Sequence, residues 1–197
     1  MEKDAALLIV DVQNDFCPGG ALPVAAGDLV VEPLNRAARL FATAGLPVLA
    51  SRDWHPPISS HFRGYGGIWP THCVQGNHGA DFHPGLRLPP RTLVISKGND
   101  PGSDGYSAFD GRGDDGRTLE EILESLGVRQ LYIGGLASDY CVRSTALEAH
   151  QAGFTVTVLS DAIAGVDVSA GDSQRALDEL VKAGVKFCTV DDLQRCH

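Results

Sequence analysis

Basic residues and long apolar runs are scarce in this sequence. Its 197 residues include 16 Lys+Arg against 25 Asp+Glu, which gives a formal net charge of −9. Nucleic acids and anionic membranes are bound through basic faces, so this balance argues against either partner. No stretch approaches the roughly 20 apolar residues of a membrane span, and the apolar run Ala5–Val10 is too short for a signal peptide. We therefore expect a cytoplasmic protein that binds neither nucleic acid nor membrane.

Paired cysteines are also lacking. The five cysteines, at positions 17, 73, 141, 188 and 196, are odd in number, and no two have Cys-x-x-Cys spacing. A chain of this size does not need the disulfide framework of a small secreted domain. The cysteines therefore raise a different question, namely whether one of them is a catalytic nucleophile.

Two common motifs of α/β proteins are absent. No G-x-G-x-x-G follows the first apolar run, so a dinucleotide-binding Rossmann domain is unsupported. Two residues after Asp11 stands Gln13, whereas an aspartyl-phosphate hydrolase has an aspartate at that position. Neither of these classes is predicted.

Apolar and amphipathic segments alternate along the chain. Continuous Val/Ile/Leu runs indicate buried strands of a parallel sheet, and helical patterns that end at glycines lie between several of them. The predicted strands are 5–10, 47–51, 92–96, 130–133, 155–159 and 185–190, and the predicted helices are 28–44, 119–126, 139–152 and 173–183. This order predicts one α/β domain over residues 1–197, with three α-β-α layers and a mostly parallel sheet of roughly six strands.

Two long loops interrupt this alternation. Residues 52–90 are rich in proline and glycine and hold five of the seven histidines, and residues 98–117 are rich in glycine and aspartate. Loops of this length inside a compact domain are usually functional. Ligands of open parallel sheets bind at the carboxyl ends of the strands, so we expect the site at the strand ends that carry these loops.

The predicted strand ends bring a carboxylate, an ammonium and a thiol to this edge. Asp11 ends the first strand, Lys97 ends the third, and Cys141 lies in the first turn of the helix after the fourth. At a helix N-terminus the dipole and unpaired N–H groups lower the pKa of a thiol and can hold an oxyanion. We therefore predict a nucleophilic Cys141, with Asp11 as its proton acceptor and Lys97 holding the carboxylate charged. The alternative is a buried cysteine, a turn aspartate and a solvated lysine.

Loop 52–90 also contains a set of metal-ligating residue types. Asp53 and His55 stand at i and i+2, so their side chains point the same way on an extended segment, and His61 and His72 follow. A carboxylate with imidazoles suits one divalent ion, with zinc as the first expectation and iron or manganese as alternatives. Histidines scattered over a solvated loop are the alternative interpretation.

Three aromatic side chains are placed to meet at the same edge. Phe16 stands in the first loop, Trp69 in loop 52–90 and Tyr106 in loop 98–117. Each is compatible with ordinary packing. Three aromatics from three loops also suit a slot for one flat ring.

Five segments match, in order, the motifs of a known family. They are DVQNDF at 11–16, DWH at 53–55, WPTHC at 69–73, KG at 97–98 and GLASDYCV at 135–142. These segments resemble the nicotinamidase (pyrazinamidase) family of the isochorismatase-like cysteine hydrolases, and the resemblance runs from residue 11 to about residue 164. The aspartate, lysine and cysteine at strand ends are shared by the wider superfamily. The Asp-x-His pair with Trp-Pro-x-His-Cys is the more specific mark.

The resemblance implies an isochorismatase-like fold and a role for each candidate residue. The implied catalytic triad is Asp11, Lys97 and Cys141. The implied metal ligands are Asp53, His55 and His72, with His61 as a fourth ligand found in some members. The residues implied to sandwich a pyridine ring are Phe16, Trp69 and Tyr106. A cis Leu136–Ala137 bond would aim the N–H groups of Ala137 and Cys141 at the oxyanion.

The resemblance also implies a reaction. Nicotinamide, and likewise pyrazinamide, would be hydrolysed to the acid and ammonia through a thioester on Cys141, in the recycling of nicotinamide into NAD. The metal would bind the ring nitrogen and orient the ring.

Two alternatives to this function remain at this point. One is a related cysteine amidohydrolase that acts on an N-carbamoyl or ureido substrate and needs no histidine-rich metal loop. The other is a non-catalytic α/β binding module in which Cys141 is only packed. The identity of the metal, the relative rates on nicotinamide and pyrazinamide, and a homo-oligomeric state are left open.

Overall fold

The computed structural model describes residues 2–195. In chain order its strands are β1 (Ala5–Val10), β2 (Val48–Asp53), β3 (Leu93–Lys97), β4 (Arg112–Gly113), β5 (Gln130–Leu136), β6 (Thr155–Ala164) and β7 (Lys186–Cys188). Its α-helices are α1 (Val31–Thr43), α2 (Leu119–Ser125), α3 (Cys141–Gln151), α4 (Asp172–Ala183) and α5 (Val190–Arg195). No helix in this range is both long enough and apolar enough to cross a membrane.

The strands form one seven-stranded sheet in the order β4-β3-β2-β1-β5-β6-β7. Only the short edge strand β4 runs antiparallel, and the other pairings are parallel. The predicted mostly parallel α/β sheet is therefore confirmed, with β4 as an added two-residue strand. The last predicted strand, 185–190, ends instead at Cys188, because Thr189 and Asp192 cap the start of α5, where the N–H of each donates to the side chain of the other.

Both faces of the sheet are covered by helices. Every residue of β1 is fully buried. Its odd-numbered residues pack in one cluster with Leu34 and Phe41 of α1, and its even-numbered residues pack in another with Leu123 of α2 and Val142 of α3. Continuous apolar strands of this kind belong at the centre of a covered parallel sheet.

Helix α2 begins with a capping box. Thr118 Oγ1 accepts a hydrogen bond from the N–H of Glu121 at 3.2 Å, and Glu121 Oε2 accepts one from the N–H of Thr118 at 2.7 Å. These bonds satisfy two N–H groups that the helix itself cannot pair. The cap fixes the entry of a helix whose Leu119 and Leu123 lie in the core.

Thr118→Ala is expected to lower the free energy of unfolding by about 1 kcal/mol, because it removes the cap acceptor from an otherwise unchanged helix. Denaturant unfolding measures this loss. Thr118→Ser, which keeps the hydroxyl, is the matched control and is expected to retain most of the stability. Equal stability of the alanine and wild-type proteins would contradict the role of the cap.

Candidate active site

The strand order reverses at β1, and the candidate residues surround this switch point. Strands β2 and β3 lie between β1 and one edge of the sheet, and strands β5, β6 and β7 lie between β1 and the other edge. Asp11 directly follows β1, Asp53 and Lys97 are the last residues of β2 and β3, and Cys141 begins α3 after β5. Carboxyl ends of parallel strands at a switch point form the usual ligand crevice of such sheets.

Lys97 connects the buried carboxylates to the thiol. Its Nζ lies 2.8 Å from Asp11 Oδ2 and 3.4 Å from Cys141 Sγ, and it donates to Asp53 Oδ1 and to the carbonyl of Gly105. A carboxylate oxygen of Asp11, one of Asp53 and the sulfur of Cys141 lie within 4.8 Å of one another. The structure thus brings together the three residues that the sequence places at separate strand ends.

The two carboxylate oxygens of Asp11 have different partners. Oδ1 accepts a hydrogen bond of 2.7 Å from Ser51 Oγ. Oδ2 lies 2.8 Å from the Lys97 ammonium, and the side chain of Cys141 also hydrogen-bonds the Asp11 carboxylate. The residue has a φ of 49°, in the left-handed region, which turns the chain sharply at the end of β1. Oδ2 is therefore the oxygen available to take a proton from Cys141.

The electrostatics of the buried cluster favour charged Lys97 and Asp53. Although burial opposes both charges, Asp11 and Asp53 hold the pKa of Lys97 well above its usual value. Lys97 likewise holds the pKa of Asp53 well below its usual value despite burial. Burial raises the pKa of Asp11, and the adjacent ammonium opposes this rise.

The expectation of a lowered thiol pKa is wrong. Burial raises the pKa of Cys141 well above its usual value, and the carboxylates of Asp11 and Asp53 add to this, while Lys97 opposes it. The sulfur is almost fully enclosed, with 7% of the residue exposed, and such burial disfavours the charged thiolate. Cys141 is therefore a neutral thiol at rest, so a nucleophilic role would require a base.

The turn before α3 presents backbone N–H groups beside the sulfur. A cis peptide joins Leu136 to Ala137, as the family resemblance implies. The carbonyl of Ala137 accepts hydrogen bonds from the amides of Tyr140 and Val142. In the described part of the chain the amides of Ala137 and Cys141 have no backbone acceptor, so both can donate to an oxyanion.

Three histidines meet next to Asp53. A ring nitrogen of each of His55, His61 and His72 lies within 4.8 Å of the other two, and all three residues are buried. Asp53 Oδ2 lies 3.6 Å from His55 Nε2 and 3.8 Å from His72 Nε2. The histidines are thus a buried cluster, not the scattered solvated residues of the alternative interpretation.

The hydrogen bonds of these histidines set their ring tautomers. The Nδ1 atoms lie 3.1, 3.0 and 2.8 Å from oxygens of Gly98, Asp104 and Pro70, for His55, His61 and His72 respectively. Carbonyl and carboxylate oxygens only accept, so each Nδ1 carries the hydrogen and each neutral ring keeps a lone pair on Nε2.

These tautomers fit a metal ion. Among the described residues, no hydrogen-bond partner reaches the buried His55 Nε2. Buried imidazoles with free Nε2 lone pairs, each held at Nδ1 by an oxygen, beside a carboxylate, form the donor set of a divalent-metal centre. The residues present therefore fit such an ion.

A narrow cleft lies between the thiol and the histidines. Its aromatic walls include Phe16, Trp69 and Tyr106, which the sequence predicts for a ring slot. Trp69 Nε1 donates a 2.8 Å hydrogen bond to Tyr106 Oη, which fixes both rings. Burial raises the pKa of Tyr106 to about 12, so its hydroxyl stays neutral. The cleft suits a flat ring with its reacting group directed at Cys141.

Sequence reasoning missed several residues that shape this site. Tyr140 also lines the cleft, and its ring packs edge-on against Trp69 with centroids 4.9 Å apart. Gln13 is fully buried and pairs through its amide with both the N–H and the C=O of Asp53. Both residues stand inside quoted motifs, at 135–142 and 11–16, and that position was the only signal for them.

The chain is similar in sequence and in structure to known proteins. Residues 5–192 match the Isochorismatase domain family. The nicotinamidase of Escherichia coli (strain K12) is 39% identical over 203 residues, which cover 95% of each chain. A pyrazinamidase of Pyrococcus horikoshii, solved in complex with zinc, is 44% identical with a TM-score of 0.87, over 94% of this chain and 99% of that one. The PnC1 protein of L. infantum, solved in complex with nicotinate, is 35% identical with a TM-score of 0.83, over 96% of this chain and 94% of that one.

The fold and the site together define an isochorismatase-domain α/β protein with a thiol, a carboxylate and an ammonium at the switch point of its sheet. The similarity to its relatives extends over almost the whole chain. The chain therefore belongs to the nicotinamidase/pyrazinamidase family. The family that the sequence motifs resemble is thereby confirmed.

Proposed function

We propose that this protein hydrolyses nicotinamide, and likewise pyrazinamide, to the carboxylic acid and ammonia. The observation that carries the proposal is the juxtaposition of a buried thiol, carboxylate and ammonium with a flat aromatic cleft and a histidine cluster. Relatives that are named nicotinamidase and pyrazinamidase, one of them bound to zinc, and a relative bound to nicotinate support this assignment. The reaction supplies nicotinate for the resynthesis of NAD. A cytoplasmic location stays a prediction from composition.

In the first half-reaction Asp11 takes the proton of Cys141 as the sulfur attacks the carboxamide carbon. The carbonyl oxygen becomes an oxyanion, to which the amides of Ala137 and Cys141 donate. The carbon–nitrogen bond then breaks, and Asp11 returns its proton to the leaving amine. Ammonia departs and a thioester joins the acyl group to Cys141.

In the second half-reaction the same carboxylate activates water. Asp11 takes a proton from the water that attacks the thioester carbon, and the same two amides hold the oxyanion. The carbon–sulfur bond breaks, the sulfur regains a proton from Asp11, and the released carboxylic acid ionises to nicotinate. Lys97 remains charged throughout and favours the ionised form of Asp11 before each step.

The residues that would hold a single divalent ion are Asp53, His55, His61 and His72. Zinc is the first expectation, because the 44%-identical relative was solved with it, and iron or manganese suits the same donors. When bound, the ion supplies a Lewis acid for the pyridine nitrogen of the substrate, which orients the ring. Phe16, Trp69 and Tyr106 then confine the ring in the plane that directs its carboxamide at the sulfur.

Removal of the metal is expected to abolish nicotinamide turnover and to leave the alkylation rate of the Cys141 thiol unchanged. The reason is that Cys141, Asp11 and Lys97 come from strand ends of the sheet, whereas the histidines come from loop 52–90. The measurement is ammonia release before and after chelation, paired with the rate at which a small alkylating agent modifies Cys141. His55→Ala is expected to behave like the chelated enzyme.

Benzamide, a flat amide without a ring nitrogen, is the matched substrate control. It is expected to be a poor substrate of the metal-loaded enzyme, because it lacks the atom that the metal would orient. Normal nicotinamide hydrolysis by the chelated enzyme, or equal rates on the two amides, would refute the orienting role. Turnover of an N-carbamoyl substrate in preference to both amides would favour the alternative amidohydrolase.

A further inference from the structure

The three histidines of the candidate metal centre differ in what holds their Nδ1 atoms. For His55 and His72 the acceptor is a backbone carbonyl. For His61 it is a side chain, the carboxylate of Asp104, at 3.0 Å. A backbone carbonyl remains after any side-chain substitution, whereas a single substitution of Asp104 removes its carboxylate. The orientation of His61 therefore depends on a single side chain from the other long loop.

Asp104 approaches His61 from the solvent side. The side chain of His61 is 3% exposed and that of Asp104 is 65% exposed. A carboxylate so placed keeps most of its hydration while it accepts the buried N–H, so the pairing avoids the desolvation cost of a fully buried ion. Because a carboxylate only accepts, this bond leaves the His61 Nε2 lone pair free for the centre.

Further hydrogen bonds hold loop 52–90 and loop 98–117 in the relative position that the hydrogen bond between His61 and Asp104 needs. The N–H and the Oγ of Ser60 both donate to the carbonyl of Pro101, at 2.8 and 2.9 Å. The hydrogen bond between Trp69 and Tyr106 joins the same two loops. Asp104 is thus held near His61 by hydrogen bonds between the two loops that do not involve the histidines themselves.

We propose that Asp104 is a positioning residue that makes His61 a fourth protein ligand beside Asp53, His55 and His72. A carboxylate at Nδ1 fixes the tautomer and ring orientation of a ligating histidine and raises its basicity. Among the described residues, the hydrogen bond that Asp104 makes toward the cluster goes to the His61 ring, so its effect on the metal is expected to pass through His61. The inference rests on the metal centre of the proposed function.

The test is the zinc affinity of the whole chain, measured by competition with a chromogenic chelator. Asp104→Ala is expected to weaken zinc binding by about 10-fold, the lower end of the usual cost of losing such a partner, because Asp104 is largely exposed. In a His61→Ala background the same substitution is expected to change nothing. Asp104→Asn keeps an oxygen acceptor without the charge, so an intermediate affinity is expected.

Cobalt substitution gives a readout that is independent of activity. The intensity of the visible bands of bound Co²⁺ depends on coordination number and geometry, and the spectrum of Asp104→Ala is expected to shift toward that of His61→Ala. Asp100→Ala is the matched control, because Asp100 lies in the same loop and its carboxylate accepts from Gly102 N. Its zinc affinity and cobalt spectrum are expected to equal those of the wild type.

The outcomes separate this inference from the proposed function. Wild-type zinc affinity in Asp104→Ala, or an equal loss in the presence and absence of His61, would overturn the role of Asp104 and leave the metal centre standing. A wild-type chain that binds neither zinc nor cobalt would overturn the centre itself, and this inference with it. Thermal unfolding of the metal-free variants checks that the substitutions leave the fold unchanged.

Discussion

Cys141→Ala is expected to abolish amide hydrolysis while the fold and ring binding are retained. Without the sulfur no thioester can form, and loss of the nucleophile in a serine hydrolase costs on the order of 10⁶-fold in kcat. The substitution removes one buried atom, so the free energy of unfolding should fall by only about 1 kcal/mol. Ammonia release, nicotinate binding by calorimetry and thermal unfolding measure the three effects separately.

Cys17→Ala is the matched control for this experiment. Cys17 is buried to a similar degree, with 3% exposed, and lies outside the cluster of Asp11, Lys97 and Cys141. Its loss is expected to leave turnover near the wild-type rate. If Cys141→Ala also kept that rate, Cys141 would be a packed core residue and the thioester mechanism would be wrong.

The central part of the fold could be predicted from sequence because its strands are continuously apolar. Ala5–Val10 is buried on both faces, and a run without alternation indicates just that environment. The prediction was weaker at the edges of the sheet. Strand β4 has two residues and no apolar run, and the cap between Thr189 and Asp192 ended β7 two residues early. Short edges are determined by local polar contacts, which hydrophobic patterns do not report.

The candidate site could be predicted only for the residues that lie at or just after the ends of strands. Asp11, Lys97 and Cys141 follow apolar runs, so the parallel sheet brings them to one edge. The partner of His61 was not predictable, since Asp104 is 43 residues away in a loop without periodicity. The direction of the thiol pKa was missed for a related reason. A helix start is visible in the sequence, whereas the burial that raises the pKa of the thiol depends on loops packed around the sulfur.

Asp11→Asn is expected to lower kcat/KM by about 10²–10⁴-fold, because both half-reactions need a proton transfer through this carboxylate. A base is needed because burial raises the pKa of the Cys141 thiol and leaves the thiol neutral at rest. The amide has the shape of the carboxylate and can keep the bond from Ser51, so the fold should be unchanged. Single-turnover acylation and deacylation rates are both expected to fall. Loss of only one of them would contradict a shared base.

The pH dependence of Lys97→Met tests the same carboxylate through its charge. In the proposed mechanism the base is ionised Asp11, so activity is expected to fall as the pH drops through the pKa of this group. Burial raises that pKa and Lys97 opposes the rise, while Asp53 adds to it. Removing the ammonium therefore moves the pKa of Asp11 further upward, and the acid limb of kcat/KM is expected at higher pH than in the wild type. Metal content is measured in parallel, because Lys97 also contacts Asp53. An unshifted acid limb in a metal-loaded Lys97→Met enzyme would show that Lys97 does not control the ionisation of Asp11.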